Sequence, residues 1–421
     1  MKIGYACTPL TIKASNSRRF ILKNFNKKNF YKVTKENIDD LYKILNYNIK
    51  NNIHMFRISS DIIPFGSHSI NDIDWWNLFK DELNLCEKYA KENNIRLSMH
   101  PGQYTVLNSP SENIVLNSIR DIEYHTKFLD SLNLDYTNKI ILHVGGVYGD
   151  KKSAMKRFQD NFKRLSDSAK KRLTIENDER NYNIEEVLYI ANNINIPVIF
   201  DNLHYHLNKK TVKLESIEKI LENVKSTWSS NDGNMKLHYS DQSTNKKLGA
   251  HSNFVYTKNF LDYYNKIKKF NPDIMIEVKD KEISAIKCIH CTNKNIDFKK
   301  DHNFLCREWS KYKYILMEKN YKSYKECSKI VNSNLENKRI NFYKFIDSCM
   351  LKPLDEKNYK NTLLHVYGYI KNKATEKEKV NFFKLYETND IKKAKKYLHR
   401  LCKKYNIVYL LKSYYFLKQY N

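Results

Sequence analysis

A chain of 421 residues, 41% of them hydrophobic, is long enough to bury one large core and a smaller second one, which excludes a disordered or fibrous protein. Its 74 Lys and Arg against 47 Asp and Glu give a formal charge of +27, a balance that suits polyanions such as nucleic acid and that a small neutral substrate does not require; the plain alternative is a Lys-rich coding bias with solvated basic faces. No apolar run approaches the roughly 20 residues of a membrane span, no signal peptide opens the chain, and the cysteines are sparse and irregular, which predicts a reducing cytoplasm.

In chain order, residues 2–7 predict a buried strand and 34–52 a helix, with Ile38, Leu41, Leu45 and Ile49 at helical spacing. Residues 54–60 predict a second strand, which empties into the Pro- and Gly-broken loop 61–68. A helix over 72–94 follows, its Trp76, Phe79, Leu83, Cys86 and Ala90 recurring every three or four positions. Residues 96–104 then set the pattern for the rest: a short alternating run, His100, and a Pro101-Gly102 break, which reads as a strand delivering one imidazole to its C-terminal end. The same grammar returns at 139–146 with His143, at 172–178 with Glu176, at 197–204 with Asp201 and His204, at 235–241 with His238, and at 273–280 with Glu277. Helices are expected between them, at 112–132, 151 to about 168, 184–194, 214–224 and after His251.

Eight strand candidates alternating with helices predict an α/β fold, a closed (β/α)8 barrel of the triosephosphate isomerase (TIM) kind, with its active site where the strands end. The open doubly wound sheet is disfavoured, because no Gly-rich phosphate turn follows the first strand. The expected division is a barrel over 1–290, a connecting segment and helix over 291–320, and a smaller all-helical domain over 321–421.

Chemistry follows from what converges at the strand ends. His100, His143, Glu176, Asp201, His204, His238, His251 and Glu277 supply imidazole and carboxylate, the donors preferred by Zn²⁺, Mn²⁺ or Fe²⁺. A lone histidine at a strand end is usually a satisfied core or surface residue. Eight such groups at the same end are costly to bury unless cations compensate them, so a multinuclear metal site is expected, suited to phosphoryl displacement. Lys236 lies two residues before His238 and so shares its face; among cations it would be neutral or carry a carbamate, the alternative being an outward, solvated lysine.

The stretches Arg57-Ile58-Ser59-Ser60-Asp61, Met99-His100-Pro101-Gly102-Gln103-Tyr104 with Leu107-Asn108-Ser109-Pro110, and Ile141-Leu142-His143-Val144-Gly145-Gly146 go further together than any one does. So do Thr174-Ile175-Glu176-Asn177-Asp178, Phe200-Asp201-Asn202-Leu203-His204, Lys236-Leu237-His238-Tyr239-Ser240, Gly249-Ala250-His251 and Ile276-Glu277-Val278-Lys279-Asp280-Lys281-Glu282. In this series the chain resembles the UV-damage endonucleases, relatives of endonuclease IV, over residues 1 to about 285. The resemblance implies an enzyme that nicks UV-damaged double-stranded DNA on the 5′ side of the photoproduct, leaving a 3′-hydroxyl and a 5′-phosphate; with no Walker-type Gly-Lys-Ser/Thr loop in the series, no ATP is expected, and the chain is expected to be a monomer. It implies two or three divalent ions, Mn²⁺ foremost with Zn²⁺, Mg²⁺ or Co²⁺ as alternatives, held by the eight donors above. It also implies catalytic roles for Glu176, Glu277 and Lys236, the last open to carboxylation, and lesion contacts from Gln103, Tyr104 and Tyr5. The segment Thr8-Pro9-Leu10-Thr11 departs from the family pattern by lacking an asparagine.

Beyond the barrel, Cys288 and Cys291 with His302 and Cys306 offer four zinc-type donors at a spacing that is not a standard finger; the simpler reading is reduced thiols in a loop before a helix at 308–319. Residues 321–421 read as helix throughout, rich in Lys and Tyr, and would assist DNA contact or bind a protein. Rival functions are a sugar isomerase or epimerase on the same barrel, an apurinic-site endonuclease, or a non-catalytic DNA-binding protein, which has no use for eight donors.

Overall fold

A computed structural model describes residues 1–209, 216–244, 246–293, 298–335, 337–387 and 391–417. Among them eight parallel strands close into a barrel in sequential order: β1 (Ile3–Ala6), β2 (Met55–Ile58), β3 (Arg96–Met99), β4 (Lys139–His143), β5 (Leu173–Glu176), β6 (Val198–Asp201), β7 (Lys236–Tyr239) and β8 (Asp273–Ile276). Closure is made by β1 on β8, with Tyr5 beside Ile276. The strands are almost wholly buried, as parallel strands covered by helices on their outer face must be.

Side-chain parity organises the interior. On β3 the inward positions run Arg96, Ser98, His100 from base to rim, so one strand places a cation, a hydroxyl and an imidazole at three depths. At the base Arg96 pairs with Asp273 at 2.9 Å and also donates to the carbonyls of Thr137, Asp232 and Asn234. Lys139, fully buried, pairs there with Asp232. Charges buried this deeply persist only when paired and fully hydrogen-bonded. At mid-depth Lys236 donates to Ser98 Oγ across the lumen at 2.7 Å.

Several helices differ in extent from the periodic reading. The first runs over Lys27–Lys50, begun by Asn26 accepting from the Asn29 amide. The 72–94 segment breaks at Phe79 into Trp75–Leu78 and Lys80–Glu92. The segment expected as one helix over 151–168 is two, Lys151–Phe162 and Asp167–Arg172, because Ser166 caps the second and is itself held by Glu123. The helix expected from Leu214 is Ile217–Ser226; residues 214 and 215 lie outside the described residues.

The chain forms two compact units, Met1–Val255 with Asp262–Ile289, and Tyr256–Leu261 with His290–Asn421. The helix Phe298–Lys319, expected as a connector, belongs to the second unit: it carries buried Leu305, Tyr312, Ile315 and Leu316 and packs on the helices Tyr321–Asn332 and Glu356–Tyr367. Cys288 and Cys291 lie in the helix Glu282–Thr292 rather than in a loop. No described helix is long and apolar enough to cross a membrane.

Candidate functional site

The C-terminal rim of the barrel gathers the donors because most sit at or near the end of a strand, with His204 in the short helix after β6 and His251 in the loop after β7. His143, Glu176 and Asp201 end β4, β5 and β6; His100 and Glu277 follow β3 and β8 directly; on β7 His238 faces inward one step nearer the rim than Lys236. Two groups of three bring ligand atoms within 4.8 Å of one another: His100, His143 and Glu176, and Glu176, Asp201 and His238. Glu176 is common to both. Its Oε2 faces His100 Nε2 at 3.4 Å and His143 Nε2 at 3.9 Å, while Oε1 faces His238 Nδ1 at 2.8 Å and His204 Nδ1 at 3.6 Å. Glu277 Oε1 stands 3.2 Å from His238 Nδ1, and the centre of the His251 ring is 6.5 Å from that of His204.

Neighbouring carbonyls fix the rings. His100 Nδ1 donates to the Pro101 carbonyl at 3.0 Å and His204 Nδ1 to the Asn177 carbonyl at 2.9 Å; carbonyl oxygen only accepts, so Nε2 is left as the basic nitrogen in each. Asn177 also accepts from the Asp201 amide and donates to its carbonyl, tying β5 to β6 beneath the site.

The electrostatics separate the two glutamates. Burial, then Glu277 and Asp201, pushes the Glu176 carboxyl well above the usual range. Burial raises Glu277 too, but Arg57, His238, His251 and His100 outweigh it and hold Glu277 well below. Burial lowers His100 strongly and His143 to about 4, so both are neutral donors at physiological pH. Burial also opposes the charge on His204, yet Asp201 and Glu176 overcome it and hold that ring at about 9. Burial, then Arg57 and Arg96, drives Lys236 well below an ordinary lysine. A neutral amine at this depth is the protonation state that a carbamate requires.

This donor set fits divalent metal. Neutral imidazoles and buried carboxylates are the ligands such ions take, and His143 Nδ1, Glu176 Oε2 and Asp201 Oδ2 are buried with no hydrogen-bond partner. Such orphaned atoms in a packed interior are costly unless something positive meets them.

Arg57 is a site residue that ligand type alone does not mark. It is buried on β2, where its Nη2 donates to Glu277 Oε1 and, at 3.0 Å, to His238 Nε2. The available signal was a lone charge inside the apolar tetrapeptide Met55–Ile58.

The loop above His100 is rigid at its base and open at its tip. Thr105 donates to Asp121 at 2.6 Å, the Val106 amide to Ser118 at 2.9 Å, Asn108 to the Gly146 carbonyl at 2.7 Å, and Arg157 to the Asn108 carbonyl at 2.9 Å. Gly145, at φ 112°, lets the chain turn under Asn108, where a Cβ would meet Asn108 Oδ1 at 2.5 Å. Gln103 is exposed and Tyr104 is 75% exposed. Ser67 and His68, from the loop after β2, line an open cleft with Tyr104, Asn117 and Arg120.

One expectation is corrected. Tyr5 is not presented to a duplex: it is fully buried, its hydroxyl donating to Asn48 Oδ1 at 2.9 Å in the helix Lys27–Lys50 and its ring edge-on to Phe56. It occupies the outward parity of β1. Among the described residues the candidate metal groups are the two at the barrel rim, and the four zinc-type donors Cys288, Cys291, His302 and Cys306 form none. Cys288 is buried in its helix, and Cys306 meets His302 one helical turn away at 3.5 Å.

The fold and donor set define a (β/α)8-barrel enzyme with a metal-capable centre at its rim. Residues 1–302 match the UV-endonuclease UvdE family, and the chain belongs to that family; it is an endonuclease. A UV DNA damage endonuclease from Clostridium perfringens (strain 13 / Type A) is 50% identical over 408 residues, 96% of each chain. One from Bacillus cereus (strain Q1) is 34% identical over 301 residues, 69% of this chain and 94% of its own length. The crystal structure of SacUVDE aligns with TM-score 0.65 and 37% identity, over 69% of this chain and 96% of its own. Residues 313–420 match a family described as a protein of unknown function, DUF1722.

Proposed function

We propose that the protein is a metal-dependent, ATP-independent repair endonuclease that nicks duplex DNA immediately 5′ to UV photoproducts, leaving 3′-hydroxyl and 5′-phosphate ends. Its UvdE-family membership and a half-identical relative named a UV DNA damage endonuclease support the substrate class. The observation that carries the chemistry is Glu176, buried between two donor groups and common to both. His100, His143, Glu176, Asp201, His204, His238, His251 and Glu277 would hold the ions, Mn²⁺ foremost. Divalent ions in such a set supply polarisation of a phosphodiester and a more acidic water.

The chain's own groups do the rest. Asn177 and the Pro101 carbonyl orient His204 and His100. Arg57 holds Glu277 ionised beside His238. The neutral Lys236 amine, held by Ser98 beneath His238, is placed to take up a proton or carbon dioxide. Gln103 and Tyr104 stand on a braced loop above His100, where a phenol can fill a vacated stack and an amide can pair with orphaned bases.

The test uses protein stripped of metal and UV-irradiated supercoiled plasmid. Nicking should return on adding Mn²⁺ alone, without nucleotide, and the nicks should prime a polymerase directly because their 3′ ends carry hydroxyls. Full activity in EDTA, ends that block the polymerase, or a preference for abasic over irradiated plasmid would each overturn the reading.

A further inference from the structure

The second unit has no assigned role, yet it holds most of the chain's charge. Residues 290–421 contain 30 Lys and Arg against 13 Asp and Glu, so 132 of the 421 residues carry +17 of the net +27; residues 1–289 contain 44 against 34. The Bacillus cereus relative, 94% of whose length is matched within 301 residues, has no room for a counterpart of this unit. The excess therefore accompanies an addition to the barrel rather than the barrel itself.

The helix Ile391–Lys404 concentrates that charge. Its sequence, IKKAKKYLHRLCKK, contains no acid. Ala394, Leu398, Leu401 and Cys402 are buried, whereas Lys392, Lys393, Lys396, Arg400, Lys403 and Lys404 are all exposed. At 100° per residue these six cations share an arc of about 120°, and from first to last they span about 18 Å. One lysine of the helix, Lys395, turns inward, and it is given an acid: its Nζ meets Glu318 at 2.9 Å over the ring of Tyr415. At the far end Lys404 meets Glu378, whose other oxygen accepts from Tyr405.

Charge spacing along the helix does not favour this row. Lys392, Lys396, Arg400 and Lys404 follow one another at four-residue spacing, where like charges repel, and Lys392 and Lys393 sit in the first turn, where the helix dipole disfavours cations. A local rule broken along an exposed face points to function. A cationic row of this length matches duplex DNA, which presents one negative charge per roughly 1.7 Å of axis and releases counterions when its phosphates are neutralised.

We propose that the exposed face of the helix Ile391–Lys404 is a phosphate-binding surface for duplex DNA, which holds the enzyme on its substrate without regard to sequence or lesion. The proposal rests on DNA being the substrate, and its test separates the two. In the full chain, Lys392, Lys396, Arg400 and Lys403 are changed together to Gln, none of them belonging to the rim. Affinity for an undamaged duplex is measured by fluorescence anisotropy across a salt series, and nicking of irradiated plasmid is measured at saturating enzyme and low salt.

The slope of log K against log salt should become shallower by about 3 to 4, since each lost phosphate contact removes about 0.9. Nicking at saturation should keep the parent's rate. A companion variant with Arg at the three lysine positions should keep the parent slope, which excludes damage to the fold as the cause. An unchanged slope in the Gln variant, with the parent nicking normally, overturns the surface and leaves an acidic protein as the partner of this face. A parent that binds duplex with a steep slope but never nicks irradiated plasmid overturns the endonuclease reading and not this one.

Discussion

Glu176 is a liability in the metal-free protein: its carboxyl is buried, one of its oxygens is unpartnered, and Glu277 and Asp201 face it. Glu176→Gln should therefore leave the metal-free protein at least as stable as the parent, while abolishing the Mn²⁺-dependent rise in melting temperature. A ligand present at 100 times its Kd stabilises by about 2.7 kcal/mol, so the missing rise is easily read. Nicking should fall by roughly three or more orders of magnitude, as expected for loss of charge stabilisation at a reacting phosphate. A variant that still shifts with Mn²⁺ and nicks would remove Glu176 from the centre. Gln103 and Tyr104 predict the opposite division. Changing both to Ala should weaken binding to irradiated duplex by about 1–3 kcal/mol and leave metal content intact; loss of metal would mean that the loop supports the ligands instead.

Glu282, which is not one of the eight donors, carries a pH dependence of its own. It is fully buried and accepts from the amides of Leu10 at 2.6 Å and Thr11 at 2.8 Å, yet burial outweighs those bonds and raises it to about 7. The folded protein thus binds a proton more tightly than the unfolded chain, so stability is highest below the unfolded value near 4.5 and declines as pH rises through about 7. Above that pH the ionised group costs on the order of 3 kcal/mol. Glu282→Gln should show a melting-temperature advantage over the parent that grows between pH 4.5 and 7 and then levels off. A difference that stays flat across that range would refute the assignment.

At the scale of elements, β3 illustrates how one strand serves two ends of the barrel. Arg96 anchors the base through Asp273 and three carbonyls, and His100 serves the rim. Arg96→Leu would strand Asp273, which is 2% exposed, without its partner. Breaking a buried pair in this way costs about 3–5 kcal/mol. Denaturant unfolding should report that loss, while the fraction remaining folded at low temperature should nick with the parent's metal dependence; a stability loss under about 1 kcal/mol would show that Asp273 finds other partners. The helix Phe298–Lys319 makes the complementary point, since its apolar face is buried within the second unit.

At the scale of the molecule, that assignment decides where the chain can be divided. A chain ending at Lys319 keeps Leu305, Tyr312, Ile315 and Leu316 but loses the helices that cover them, so it should aggregate. A chain ending at 302, the extent of the UvdE match, should stay monodisperse and nick irradiated plasmid, with a shallower salt dependence of duplex binding. Size-exclusion chromatography of the two lengths distinguishes them, and equal solubility would contradict the burial of that face.

The barrel was legible because its signal is local and repeated. Each strand is a short apolar run ending on a donor, and the period-two geometry of a strand places 96, 98 and 100, or 236 and 238, on one face without reference to anything distant. Convergence of the donors followed, since strand ends of a closed parallel barrel must meet at one rim. What the sequence could not carry is which face of a strand looks inward: both faces of a parallel strand are buried, so polarity does not alternate in a way that marks them. The lesion contact that the family resemblance implies for Tyr5 fails on this point, because β1 turns that ring outward onto Asn48, and Arg57 acquires its role only from Glu277 and His238, more than 180 residues away in sequence. The sharing of Glu176 between two donor groups and the membership of Phe298–Lys319 in the second unit are likewise properties of contacts between distant segments, which only the tertiary structure decides.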